Sequence, residues 1–376
     1  MFFLFSLTAV ALFLAYANGA NDNFKGVATL LGSGTANYRT ALVWGTFTTG
    51  LGSLAAFFLA QKLITAFSGR GWIPDSLVGA PAFSLAVLFA AALTVWLATR
   101  LGFPISTTHA LIGGLAGVGG AAIGAVGAHK LWSDFFLPLL TSPAISAGAT
   151  AIVYPLFKVL RERLNVREET CLCIGNEVLA VVPAGTASGQ VSARVEVQSL
   201  PTLAVDTQVH CEQRYFGRVL GIDAKRILDI GHFLSAGLTG FARGLNDTPK
   251  IAAVLIGAGA LSSAQTFVLI AAFMALGGLL QARRVAETLA HKITQMNDGQ
   301  GFTANLVTSG IVVLASHFGW PVSTTHVSCG ALFGLGFVTG QAHGASIRLI
   351  LAAWVVTLPV ASSLGALSFY VLRNVM

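Results

Sequence analysis

The chain has 376 residues, of which 55% are hydrophobic and 10% charged, with a mean hydropathy of +0.75 and a formal net charge of +7. A water-soluble domain carries about 25% charged residues, so this chain cannot cover itself for water and a bilayer is its expected solvent. The basic residues are scattered at the edges of apolar runs, where they orient a chain in a membrane, which argues against nucleic acid as a partner.

A bilayer core takes about 20 apolar residues per helix. On that measure the first half offers spans near 2–20, 41–60, 82–100, 106–128 and 135–158. The run Met1–Gly19 has the apolar stretch and the Ala15-Tyr16-Ala17 end of a signal peptide but no basic start, so it reads as a retained first span. The second half offers spans near 228–245, 264–282, 301–318, 321–341 and 346–371. Two pieces, about 24–36 and 249–261, look too short to span and read as re-entrant segments or continuations of broken helices.

Between the halves the character changes. Residues 161–226 open on Arg161, Glu162 and Arg163 and carry alternating stretches such as Val191–Val197, which read as strands. The domain plan is a first transmembrane repeat over 1–160, a central domain over 161–226 and a second transmembrane repeat over 227–376. Lys158, Arg161, Arg163, Lys225 and Arg226 flank the central domain and place it in the cytoplasm by the positive-inside rule. Cys171, Cys173 and Cys211 lie within it beside His210. C-x-C is not a usual structural zinc spacing, so reduced, partly buried thiols are the preferred reading over a metal site.

An internal repeat organises the chain. Gly19-Ala20-Asn21-Asp22-Asn23-Phe24-Lys25 matches Gly244-Leu245-Asn246-Asp247-Thr248-Pro249-Lys250 at an offset of 225. Gly102-Phe103-Pro104-Ile105-Ser106-Thr107-Thr108-His109 matches Gly319-Trp320-Pro321-Val322-Ser323-Thr324-Thr325-His326 at an offset of 217. An odd number of spans per half would make the repeats inverted. The expected fold is therefore an all-α polytopic membrane protein. It has two inverted repeats of about five spans with broken or re-entrant helices, and a small β-rich extramembrane domain between them.

The duplicated motifs carry the chemistry. Asp22 and Asp247 end apolar runs, and an intramembrane carboxylate costs at least about 2.5 kcal/mol, so it marks an ion or proton path. A pair of interfacial helix caps is the plainer alternative. Lys25 and Lys250 each follow an Asp by three residues, which on a helix brings ammonium and carboxylate to one face; snorkelling is the alternative. Each Pro-x-Ser-Thr-Thr-His segment opens a helix, where free N–H groups and hydroxyls suit an oxyanion. Back-bonding to helix carbonyls is what such hydroxyls otherwise do. His109 and His326 are candidates for a proton relay, or plain structural histidines.

At these residues the chain resembles the inorganic phosphate transporter (PiT) family, which carries both duplicated signatures in this order around a variable central loop. The resemblance covers about 1–160 and 227–376. It implies a non-enzymatic symporter of inorganic phosphate driven by sodium or protons, located in the cell membrane, dimeric and without a resident cofactor. By motif, Asn21, Asp22, Asn246 and Asp247 would hold the coupling ion or proton. Ser106, Thr107, Thr108, Ser323, Thr324 and Thr325 would bind the substrate, with Lys25 and Lys250 as charge partners of the carboxylates. Many sodium-coupled members place an amide three residues after the Asp, where this chain has Lys25 and Lys250. An ammonium there repels sodium, so proton coupling is favoured, and a sulfate permease is the alternative within the same family. An intramembrane hydrolase built on Ser106 or Ser323 with a nearby His is a remote alternative, since it leaves the duplication unexplained.

Overall fold

A computed structural model describes residues 2–68, 73–78, 80–124, 128–167, 169–185, 191–197, 200–257 and 261–375. The helices of the first half are α1 (Phe2–Asp22), α2 (Ala28–Gly32), α3 (Tyr38–Leu59), α4 (Gln61–Phe67), α5 (Asp75–Val78), α6 (Pro81–Leu101), α7 (Thr107–Ile123), α8 (Ala128–Leu131) and α9 (Leu137–Arg163). Four strands follow, β1 (Thr170–Gly185), β2 (Val191–Val197), β3 (Thr202–Thr207) and β4 (Tyr215–Asp223), with α10 (Gln208–Arg214) between the last two. The second half contains α11 (Ala224–Gly257), α12 (Ser263–Gln281), α13 (Arg283–Glu287), α14 (Asp298–Phe318), α15 (Thr324–Thr339) and α16 (Gly344–Val375). Single π-helical turns, Trp132–Phe136 and Thr288–Lys292, interrupt the ladder before α9 and after α13.

The fold is a helical membrane architecture with one small antiparallel sheet. Seven helices among the described residues are long and apolar enough to cross a bilayer: α1, α3, α6, the continuous run Trp132–Arg163, α12, α14 and α16. Their outer faces carry bare hydrophobic side chains such as Phe58, Ile152 and Val355, each at least 70% exposed, as lipid-facing residues must be.

Ten full-length spans were expected, and three of them take another form. The runs near 106–128 and 321–341 become α7, of 17 residues, and α15, of 16 residues. At 1.5 Å per residue each rises only about 25 Å, less than a bilayer core of about 30 Å. Their starts are internal, since Ser106 and Ser323 cap them within the protein. The run near 228–245 and the short piece at 249–261 form one helix, α11, which is described to Gly257 and contains Pro249.

The chain divides into two compact units, Met1–Tyr154 with His232–Met376, and Pro155–Gly231. In the first unit, α1 packs along α6 and α12 in one apolar core, and α7 packs on α16 and α6. In the second unit the sixteen-residue β1 is the spine: β3 and β4 pair with its first part and β2 with its second, all antiparallel. Cys173 on β1 and Cys211 on α10 form a disulfide with Cα atoms 6.1 Å apart. This corrects the reading of reduced thiols. Spacing along the chain could not reveal that α10 folds back over β1. Cys171, on the same face of β1 as Cys173, is a free, buried thiol.

Candidate functional site

The two Asn-Asp motifs and the two hydroxyl segments meet in the interior of the first unit. Glycine makes the approach possible. A Cβ at Gly19 would lie 1.9 Å from the Met274 carbonyl oxygen, and one at Gly244 would lie 2.1 Å from that of Thr49. Each motif therefore begins where one helix backbone touches another, α1 on α12 and α11 on α3.

The contacts then repeat in register. Asn21 Nδ2 donates to Thr99 Oγ1 (2.9 Å) and to the Phe103 carbonyl (3.0 Å), and its Oδ1 accepts the Ile105 N–H (3.1 Å). Asn246 Nδ2 donates to the Val322 carbonyl (3.3 Å), and its Oδ1 accepts from Ser316 Oγ (3.2 Å). Thr99 and Ser316, like Ile105 and Val322, are equivalent at the offset of 217. Each motif Asn thus pins the loop that leads into a hydroxyl segment.

The lysines cross between halves. Lys25 forms an ion pair with Asp22, donates to the Ile105 carbonyl (3.3 Å) and contacts the Thr325 hydroxyl. Lys250 lies 3.6 Å from Asp247 and donates to the Val322 carbonyl (2.7 Å) and to Thr108 Oγ1 (2.8 Å). The third-position threonine of each hydroxyl segment therefore meets the lysine of the other half. All four charged side chains are at most 4% exposed. The expected i,i+3 pairs exist, and these lysines are buried rather than snorkelling.

Two residues not singled out in the sequence complete the cluster. Asn18 Nδ2 reaches Asp22 Oδ2 (3.1 Å), Asp247 Oδ2 (3.4 Å) and Thr107 Oγ1 (2.9 Å), so one amide nitrogen touches both carboxylates and a hydroxyl. Arg243 donates from Nη2 to Asn18 Oδ1 (2.7 Å), and its Nε lies 3.7 Å from Asp247. Asn18 and Arg243 are equivalent at the offset of 225, so this is where the two halves differ in charge. An arginine inside an apolar run, one residue before a motif, was the available signal. Three cationic side chains (Lys25, Arg243 and Lys250) now surround two carboxylates and leave an excess of one positive charge.

Ser106 Oγ accepts the His109 N–H (3.0 Å) and Ser323 Oγ accepts the His326 N–H (3.3 Å), so both serines are N-caps. Thr324 Oγ1 donates to Asp247 Oδ2 (3.4 Å). The rings of His109 and His326 lie 4.5 Å apart, and His326 Nδ1 bonds the Leu139 carbonyl (3.2 Å). His109 Nδ1 and His326 Nε2 are buried without a hydrogen-bond partner. A mostly apolar cleft is lined by Thr65, Asp134, Pro138, Trp320, Pro321 and Val322, and the Val322 carbonyl receives Lys250. Among the described residues no group of three or more His, Cys, Asp or Glu side chains is placed to hold a metal ion.

Comparison with known proteins gives this geometry its family. The sequence model of the phosphate transporter family matches residues 18–365. The chain belongs to that family. A "probable low-affinity inorganic phosphate transporter" of Rhizobium meliloti is 29% identical, with 98% of this chain and 96% of that one aligned. A protein of the same description from Mycobacterium leprae is 28% identical over 99% of this chain and 79% of its own length. A solved structure titled "The sodium-dependent phosphate transporter" superposes over the full length of both chains with a TM-score of 0.75 at 20% identity, which establishes the shared fold. As a member of this family the chain is a multi-pass membrane transporter and not an enzyme. The serines of the hydroxyl segments serve as helix caps, and the hydrolase alternative is set aside.

Proposed function

We propose that this protein is a secondary active transporter that carries inorganic phosphate across the membrane by symport with protons in preference to sodium. Phosphate follows from the family and from the excess of positive charge around Asn18. The observation that carries the choice of proton is the pairing of Asp22 with Lys25 and of Asp247 with Lys250 and Arg243. A sodium ion at either carboxylate would have to displace a bound cation or sit beside it. A proton needs no ligand shell of its own: it is carried on a side chain already present, joining a carboxylate or leaving an ammonium, and burial of both partners offsets the ion pairing that holds them charged. The solved relative is titled sodium-dependent, but at 20% identity it informs the fold alone.

In this reading Thr107, Thr108, Thr324 and Thr325, with the N–H groups opened by Ser106 and Ser323, form the oxyanion site. Asp22 and Asp247 take the coupling charge, while Asn21 and Asn246 hold the loops in place. His109 and His326, in ring contact between the two hydroxyl helices, relay protons. The halves act as inverted repeats that rock about this centre to expose it to each side in turn.

Phosphate uptake into proteoliposomes, with sodium and proton gradients imposed separately and sulfate as competitor, tests the reading. Uptake driven by an inward proton gradient and collapsed by a protonophore is expected. Uptake that follows sodium and ignores the protonophore would refute proton coupling, and concentrative uptake of labelled sulfate together with full competition by sulfate would make the protein a sulfate permease. We further assign the central unit to the cytoplasm on its basic flanks. Cytoplasmic reductants would keep Cys173 and Cys211 as thiols although the fold brings them within bonding distance, so a disulfide that persists in cells quenched with a thiol-blocking reagent would refute the cytoplasmic assignment.

A further inference from the structure

A second buried polar cluster shares no residue with the Asn-Asp centre. It is built around His232, whose side chain is fully buried. Its Nε2 lies 3.0 Å from Thr29 Oγ1 on α2, and its Nδ1 lies 3.1 Å from Thr35 Oγ1 in the loop after α2. Thr35 Oγ1 in turn donates to Asp298 Oδ1 (2.5 Å), and Asp298 Oδ1 stands 3.9 Å from His232 Nδ1. Thr29 Oγ1 accepts from Asn305 Nδ2 (2.7 Å) on α14. Gly301 of α14 closes the remaining side: a Cβ there would lie 2.4 Å from His232 Nε2.

The directions of these bonds fix what the ring can do. The Thr35 hydroxyl gives its one proton to the Asp298 carboxylate, so it can only accept from His232, and Nδ1 must carry a proton. In the neutral ring Nε2 is then an acceptor, and the Thr29 hydroxyl supplies its hydrogen. If Nε2 gains a proton, the same contact survives by reversal, because the Thr29 oxygen has two lone pairs and Asn305 uses one. Both ring nitrogens therefore stay bonded at unchanged heavy-atom positions, the Thr29 hydroxyl hydrogen turns away from the ring when Nε2 is protonated, and Asp298 Oδ1 stands 3.9 Å from Nδ1 of the charged ring. The packed elements bring Asp298 from α14, with Thr29, Thr35 and Asn305 as neutral partners, and Ser33 Oγ lies 2.6 Å from Thr35 Oγ1, to which it can donate once Thr35 donates to Asp298. On its own helix, Asp229 lies one turn before His232 and is paired with Lys225 at 2.6 Å.

We propose that His232 is a proton-binding site, backed by Asp298, through which proton concentration acts on the transporter. Thr29 lies four residues after Lys25, on the short helix that follows the break at Asp22, so a proton on His232 is felt at the element joined to the central cluster. The binding claim stands on the hydrogen-bond geometry. The effect on transport rests on the proton-coupled reading given above.

Nitrogen NMR on full-length protein labelled with 15N-histidine, in lipid nanodiscs, separates the two. The resonance lost in His232→Gln should show the Nδ1–H tautomer at high pH and the doubly protonated ring as the pH is lowered. Asp298→Asn should lower the midpoint of that change, because it removes the carboxylate that favours the charged ring. A His232 resonance that stays constant down to the pH at which the protein unfolds, or that shows the Nε2–H tautomer, overturns the site. In proteoliposomes, phosphate uptake by His232→Gln should lose the dependence on external pH seen in the unsubstituted protein. Unaltered pH dependence overturns the role in transport even if the ring titrates. Should His232→Gln fold poorly, Thr29→Val and Asp298→Asn serve the same test. If the unsubstituted protein moves no phosphate, the transport reading fails while the NMR titration still decides the proton site.

Discussion

The two copies of the Asn-Asp motif begin alike and end differently. In the first, α1 stops at Asp22, the backbone turns through residues 23–27, and α2 starts at Ala28. In the second, α11 runs without a break through Asp247, Pro249 and Lys250 to Gly257. The residues contacted are nevertheless equivalent: Asn21 and Asn246 pin corresponding loops, with donor and acceptor roles of the amide exchanged, and Lys25 and Lys250 take the corresponding carbonyls of Ile105 and Val322. What the duplication preserves is a set of contacts to the hydroxyl segments, and the backbone that delivers them is free to differ. The charge differs as well: Arg243 stands where the first copy has Asn18, and it bonds directly to that residue.

The largest effect should come from the carboxylates. Asp22→Asn and Asp247→Asn are each expected to abolish concentrative phosphate uptake in proteoliposomes. Normal uptake by either variant would remove that copy from the coupling step. Arg243→Met comes next, since it leaves the buried Asn18 Oδ1 and Asn18 carbonyl without their guanidinium donor, a change that costs about 1–3 kcal/mol. Its unfolding midpoint in detergent should fall clearly. The exchange Asn18→Arg with Arg243→Asn asks whether the guanidinium must sit in the second copy; recovered uptake would show that only its presence matters.

Asn21→Ala and Asn246→Ala should each cost about 1–3 kcal/mol, because each leaves buried loop or hydroxyl groups unpaired. Similar losses in unfolding assays would support equivalent roles, and a loss at one position only would break the symmetry of the contacts. The smallest effect is expected at Pro249. Pro249→Ala restores a backbone donor towards the Leu245 carbonyl and should raise stability by part of the roughly 3 kcal/mol that a mid-helix proline costs. If uptake falls instead, the weak point in α11 is needed for motion.

Much of this site was legible beforehand because it is written twice. A lone Asp at the end of an apolar run has a plain explanation as a cap, but two at one offset, each with Lys three residues on, do not. The helix starts at Ser106 and Ser323 were readable from local chemistry, since a Pro-x-Ser run before an apolar segment is a capping signal. Asn18 was not readable, because an amide near the end of a span looks the same whether it faces lipid headgroups or two carboxylates. His232 and Asp298 escaped for a related reason: they have no counterpart in the other half, and 66 residues separate them. The disulfide was hidden by the fold of α10 onto β1.

The sequence by itself determined that the chain lives in a bilayer, that it is duplicated, and which short motifs hold its charge and hydroxyls. These are consequences of composition and local spacing, and they hold in any arrangement of the helices. Only the tertiary structure decided that each lysine reaches the hydroxyl segment of the other half, that Arg243 leaves the cluster with an excess positive charge, and that α11 continues where α1 stops. Those outcomes depend on which helix backbones come into contact. Non-local packing set by glycines such as Gly19 and Gly244 governs that choice, and neither propensity nor periodicity encodes it.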